Sequence, residues 1–310
     1  MTELACFSRY LLQLCYFFTV LGAVVSSVVG CSNKPFRSPV YLGGKMIDAE
    51  VLNTGHSVFR RFCAGCHGID GKADTDAARS SVPSPRDLTL GIYKFVSVPA
   101  PSLPTDNDLT RIVRRGLQGT AMPAFTGLTD NEVNAVVQYI KTLSNRWRTN
   151  EAGVAVPHYP DPFPPEQRDV AIARGEELYH GVARCWPCHP AYLSPAERAV
   201  LHEQYGKSTL YTDGYELPVT LNGGRPTSDR TKFLQMLPPD FLSDTFRAGK
   251  RDEDIYRSIA AGIGGTQMYP VYDKFSADDL WALTHYVSYL AHLADTPKAE
   301  AIRRHSEFRR

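Results

Sequence analysis

The sequence predicts a mainly helical fold used twice within one chain. Three observations predict it: an internal repeat, a glycine four residues ahead of an aromatic opening each copy, and an amphipathic helix closing each copy. The openings are Gly55-His56-Ser57-Val58-Phe59 and Gly175-Glu176-Glu177-Leu178-Tyr179. Further on, Pro85-Arg86-Asp87-Leu88 answers to Pro238-Pro239-Asp240-Phe241, and Gly116-Leu117-Gln118-Gly119-Thr120-Ala121-Met122 to Gly262-Ile263-Gly264-Gly265-Thr266-Gln267-Met268. Self-similarity in this order, over this length, means one fold laid down twice.

The closing helices are announced by their caps. Thr129-Asp130-Asn131-Glu132 is a capping box, and Val133, Val136, Val137, Ile140 and Leu143 follow on one face. Its counterpart starts at Ser276 and buries Leu280, Leu283, Val287 and Leu290. In the first opening helix, Val51, Leu52, Gly55, Phe59 and Phe62 form a similar stripe. A glycine lets two helix backbones approach closely. Gly55 and Gly175 are therefore expected where opening and closing helices cross, with Tyr139 and Tyr286 as partners.

With 310 residues the chain can hold two compact domains, each with its own core. Lys plus Arg number 34 against 33 Asp plus Glu, so no net field exists to collect nucleic acid. The first thirty residues stand apart: Arg9 is their only basic residue, and Leu11 to Gly30 carries no charge. Such a stretch is an export segment or a membrane helix. It ends in Val28-Val29-Gly30-Cys31, which resembles the lipobox of bacterial lipoproteins, where cleavage leaves a lipid-bearing cysteine. An uncleaved signal anchor, or a plain signal peptide, are the alternatives. The first two place the body at the cell membrane on its periplasmic side, tethered by lipid on Cys31 or by the anchor.

Seven cysteines are an odd number for an exported chain. Cys6 and Cys15 would leave with the signal and Cys31 would take lipid. The other four form Cys63-Ala64-Gly65-Cys66-His67 and Cys185-Trp186-Pro187-Cys188-His189, two CxxCH motifs. This is the signature of c-type haem attachment: two thiols reach the two vinyl groups of one porphyrin, and the next residue brings its imidazole under the iron. Paired CxxC can also bind zinc, but both pairs end in His and the chain carries an export signal. No βαβ pattern supports a thioredoxin-like pair.

With glycine and aromatic, CxxCH, a Met-bearing loop and a closing helix, each copy resembles a class I cytochrome c domain. The resemblance covers residues 46–146 and 170–294. It implies an all-α fold of two tandem domains, each with one covalently bound haem c. Cys63, Cys66, Cys185 and Cys188 would form the thioethers, and His67 with Met122, and His189 with Met268, would be the axial ligands of the two irons. The second copy departs from the first by Pro190 in place of Gly68 and by a net insertion of 24 residues. Met236, inside the lengthened loop, competes with Met268; His202 is a further candidate there; Met46 is expected to be packing. His/Met ligation raises the reduction potential and fills both axial positions. No site remains for a small-molecule substrate.

The predicted organisation is a signal peptide 1–30, a tether 31–45, domains 46–146 and 170–294, a Pro-rich linker 147–169, an insertion at 192–232 and a solvated basic tail 295–310. Prolines 157, 160, 162, 164 and 165 make the linker extended and semi-rigid, able to wrap a domain. The insertion opens with a helical Ser194-Pro195-Ala196-Glu197-Arg198 and is read as a loop over the haem edge or a docking surface. The function expected is transfer of single electrons between respiratory redox partners. A fixed subunit of a larger complex and a di-haem peroxidase are the rivals, the latter opposed by two matched Met loops.

Overall fold

The computed structural model describes residues 34–206 and 238–306. It begins with two short strands, β1 (Val40–Leu42) and β2 (Lys45–Ile47), paired antiparallel with Val40 opposite Ile47. Gly43 and Gly44 turn the hairpin at φ +61 and +86, values that glycine adopts without strain. This hairpin departs from the expected tether and all-helical chain. Its purpose is packing: Leu42 is fully buried, and Gly43 lies against the Trp147 ring. Met46, expected in the core, points outward from β2 at 62% exposure.

The first half contains α1 (Ala49–Phe62), α2 (Ala64–His67), α3 (Asp76–Ser80), α4 (Asp106–Arg115), α5 (Asp130–Thr142) and α6 (Arg146–Thr149). Its architecture rests on the crossing of α1 and α5. Leu52, Gly55, Val58 and Phe59 form the buried stripe of α1, and Val133, Val136, Val137 and Ile140 that of α5. At Gly55 a Cβ would sit 2.7 Å from Tyr139 Cβ and would overlap the Ala135 carbonyl oxygen. Only a residue without a side chain allows the two backbones to approach this closely. Phe62, read as part of the stripe, is 41% exposed instead and packs edge-on against Phe125.

The second half repeats the plan with α7 (Arg168–Glu177), α8 (Pro195–Tyr205), α9 (Asp252–Ala261), α10 (Ala277–His292) and α11 (Pro297–His305). Here α7 and α10 cross at Gly175, where a Cβ would meet Tyr286 Cβ at 2.6 Å and the Ala282 carbonyl oxygen. Capping boxes start α4 (Thr105 with Asp108), α5 (Thr129 with Glu132) and α8 (Ser194 with Glu197); Ser276 caps α10.

The described residues from 38 onward form one compact unit. The Pro-rich stretch wraps both halves rather than hanging between them. Val156 N–H donates to the Ser97 carbonyl at 2.8 Å, and farther on Trp281 Nε1–H donates to the Tyr159 carbonyl at 2.9 Å. Asp161 then meets the buried His285 at 2.9 Å. A second tie is electrostatic: Arg115 of α4 bonds the buried Asp254 of α9 at 3.0 Å, a carboxylate that also holds Arg251 and Arg257. The expected solvated tail is largely helix α11, capped by Thr296, with Ala299 buried and Arg303 reaching Asp240 at 3.4 Å. Apolar Ala299 and Ile302 at helical spacing explain the docking, which the arginines masked in the sequence. No helix among the described residues is long and apolar enough to cross a membrane. Cys31, Met236 and the end of the tail lie outside the described residues.

Candidate haem-binding sites

In the first half the motif follows α1 directly. Cys63 caps α1, Cys66 and His67 lie on the short α2, and both thiols are half-buried. His67 Nδ1 is 2.9 Å from the carbonyl oxygen of Arg86. That bond selects the tautomer with the proton on Nδ1 and turns Nε2 into the ligand atom, the way metal-bound imidazoles are usually oriented. In the second half His189 Nδ1 lies 3.1 Å from the carbonyl oxygen of Pro239. Arg86 and Pro239 are the equivalent residues of the matched Pro-x-Asp segments. The repeat contained this signal, but its role becomes visible only in three dimensions.

The two approaches to the motifs differ. From Phe59 to Cys63 there are four positions, from Tyr179 to Cys185 six. A π-helical turn at Leu178–Val182 and Arg184, whose φ is +48, absorb the two extra residues. Tyr179 remains fully buried, its hydroxyl donating to the Pro190 carbonyl at 2.9 Å. The start of the insertion covers this motif. Trp186, between the two cysteines, donates Nε1–H to the His180 carbonyl at 3.1 Å and lies under the Arg198 guanidinium of α8 at 4.7 Å. His202, also on α8, points to solvent.

The two Met loops have matching internal hydrogen bonds. Thr120 Oγ1 donates to the Leu117 carbonyl at 2.7 Å and accepts Met122 N–H at 3.1 Å; Thr266 does the same with Ile263 and Met268 at 2.7 and 3.1 Å. Leu117 N–H and Ile263 N–H close each loop on the carbonyls of Met122 and Met268, at 3.1 and 2.9 Å. Gly116 and Gly262 begin the loops at φ +63 and +71, with the backbone of residues 122–124 and 268–270 against them. Both methionines are half-buried. The edge-on Phe62–Phe125 contact, at 6.3 Å between centroids, ties the residue before Cys63 to the one three after Met122. Motif and Met loop of the first half therefore converge.

These residues fit a covalently held haem better than the alternatives. Burial, and then the neighbouring Cys66, push the Cys63 thiol up to about 11; burial and Cys188 push Cys185 up to about 12. A thioether carries no charge and suits surroundings that disfavour a thiolate. Burial also lowers His189, favouring the neutral imidazole that a metal requires. Among the described residues no group of three or more His, Cys, Asp or Glu converges as a metal site.

Comparison with known proteins agrees. Residues 50–140 match the family model for cytochrome C oxidase, cbb3-type, subunit III. A chain of the reducing HAO-like protein complex of Kuenenia stuttgartiensis is 30% identical, with TM-score 0.57, over 76% of this chain and 95% of its own length. The chain belongs to the cytochrome c family. Membership implies covalently bound haem c and electron transfer as the general role. The stretch matched by the family model includes Cys63, Cys66, His67 and Met122.

Proposed function

We propose that this cytochrome is a di-haem electron carrier, held at the periplasmic side of the cell membrane through Cys31, that passes single electrons between respiratory redox proteins. Cys63 and Cys66 would bind one haem c, ligated by His67 and Met122. Cys185 and Cys188 would bind the second, ligated by His189 and Met268. When bound, haem c supplies a one-electron iron couple.

The observation that carries this reading is the pairing of two identical supports: a carbonyl on each motif histidine and a threonine-braced methionine loop in each half. A methionine that merely fills space has no need of a threonine fixing its own amide in both copies. Each histidine is aligned by one carbonyl, and each methionine is presented by a loop closed by its threonine hydroxyl and by a backbone bond to its own carbonyl. Two protein ligands per iron leave no open position for peroxide, which favours a carrier over an enzyme.

Maturation in a host competent for cytochrome c, followed by acid-acetone extraction and a haem-to-protein ratio, tests the number of haems. A ratio near two supports the reading; a ratio near one refutes the second site. A second reading, a fixed subunit of a larger assembly, draws support from the similar chain, which comes from a protein complex. Co-purification of a partner in mild detergent would favour it over a free shuttle.

A further inference from the structure

The halves meet through their Met loops, and the meeting is reciprocal. Gln118 N–H donates to the Arg247 carbonyl at 3.1 Å, and Gly264 N–H donates to the Lys94 carbonyl at 3.2 Å. Gln118 and Gly264 hold the same place in the repeat, each four residues before its methionine. Lys94 and Arg247 are equivalent as well, each eight residues after the carbonyl that bonds its own half's motif histidine. The side-chain contacts follow the same pattern: Thr245 occupies the space beside Gly119, and Ile92 the space beside Gly265.

The connecting segments are stiff. In the first, Asp87 accepts Thr89 N–H at 2.9 Å, Leu88 N–H donates to the Gly71 carbonyl at 2.8 Å, and Arg146 donates to the Gly91 carbonyl at 2.6 Å. In the second, Asp240 accepts Leu242 N–H at 3.0 Å and the hydroxyls of Tyr192 and Ser243, both at 3.1 Å. Each segment therefore has a fixed body, with a carbonyl on a histidine at one end and a carbonyl on a loop of the other half at the far end.

We infer that residues 86–94 and 239–247 are cross-braces: each aligns the proximal histidine of its own haem and clamps the Met loop of the other, so that the Lys94 carbonyl positions Met268 and the Arg247 carbonyl positions Met122. The inference rests on the di-haem reading with these two methionines as sixth ligands. A thioether is a weak ligand, and its hold on iron depends on how firmly the loop presents it. Here that firmness is supplied across the junction. Lys94 and Arg247 are positioning residues acting through backbone atoms, and a disturbance in one half is read at the iron of the other.

The test is Gly264→Ala in the full-length holo-protein. Gly264 lies outside the left-handed region, so the added methyl strains no dihedral; it meets the Tyr93 carbonyl, with Lys94 Cα at 3.8 Å, and pushes the Met268 loop off its brace. The weak red absorption band of methionine bound to ferric iron should fall by about half. The lost share should be the one removed by replacing Met268 and not the one removed by replacing Met122. Added imidazole should bind at one haem roughly tenfold more tightly, a tenfold change being an easily resolved difference in equilibrium constant. Ile92→Ala, which only opens space beside Gly265, should move both readouts in the same direction by less, and serves if the first variant fails to mature. A full band with unchanged imidazole affinity in the matured variants overturns the braces while leaving the di-haem reading intact. A wild-type protein with two haems and no such band overturns the methionine assignment, and the braces with it.

Discussion

Replacing Gly55 with alanine should destabilise the protein by about 2 kcal/mol, although alanine is the better helix former. The gain is familiar: glycine in a helix interior costs roughly 0.8–1.0 kcal/mol relative to alanine. The loss comes from the crossing. The new Cβ would lie 2.7 Å from Tyr139 Cβ and 2.6 Å from the Ala135 carbonyl carbon, where carbon atoms prefer about 3.5–4.0 Å. Both obstacles are backbone or first side-chain atoms and cannot swing away, so α1 and α5 must part by about 1 Å. A gap of that size forfeits a quarter to a half of each contact along the stripe of Leu52, Val58 and Phe59. Overpacking of this kind costs about 1–3 kcal/mol and more where nothing can yield, which leaves a net loss near 2. At about 2–4 °C per kcal/mol the melting temperature should fall by roughly 4–8 °C. Guanidinium unfolding followed by circular dichroism measures this, with Gly127→Ala as control because a Cβ there meets nothing within 4 Å. A Gly55→Ala protein as stable as wild type would show that the close crossing is not how the halves are built.

Single replacement of Met122 or Met268 by alanine should each remove about half of the methionine-to-ferric-iron band; an unchanged spectrum in both would sink the sixth-ligand assignment. Cys185→Ser with Cys188→Ser should lower the covalent haem content from two to one, read by haem staining on a denaturing gel. Asp254→Asn leaves Arg257, itself held down to about 10 by burial, without its carboxylate and cuts the link to Arg115. A loss of about 3–5 kcal/mol is expected in equilibrium unfolding. His180 is buried, with Nδ1–H donating to the Glu176 carbonyl at 2.9 Å and Nε2 accepting Tyr192 N–H at 3.1 Å. Burial holds it at about 4, below the 6.5 of an imidazole in water. The unfolded chain therefore takes up the proton first: above pH 6.5 the residue costs nothing, and stability falls as pH drops from about 6.5 to 4, by about 3 kcal/mol in all. His180→Gln should flatten that part of the stability-versus-pH curve, and an unaltered slope would refute the assignment.

What could be read from the residues was whatever repeats or follows a period. The capped closing helices, the glycines at both crossings and the matched Met loops lie where spacing places them, because each follows from local geometry written twice. The hairpin at Gly43-Gly44 carries its turn signal but sits in a stretch too short to show alternation. The carbonyl partners of His67 and His189 were hidden for a different reason: a backbone oxygen has no residue identity, and only the fold shows which one faces the imidazole. The helix at Pro297–His305 was concealed by its arginines, whose charge suggested solvent while Ala299 and Ile302 marked a buried face. Nothing in the composition of the stretch around Val156 to Asp161 says which carbonyl Trp281 will choose.

The π turn ahead of the second motif shows how a helix can absorb extra length without moving the groups it presents. The stretch from Tyr179 to Cys185 is two residues longer than that from Phe59 to Cys63, and the helix takes up the extra length as a widened coil while Tyr179 and His189 keep their carbonyl partners. Length can thus accumulate upstream of a reactive group as long as the backbone has somewhere to store it. The second half also has its own cover, α8 lying over Trp186.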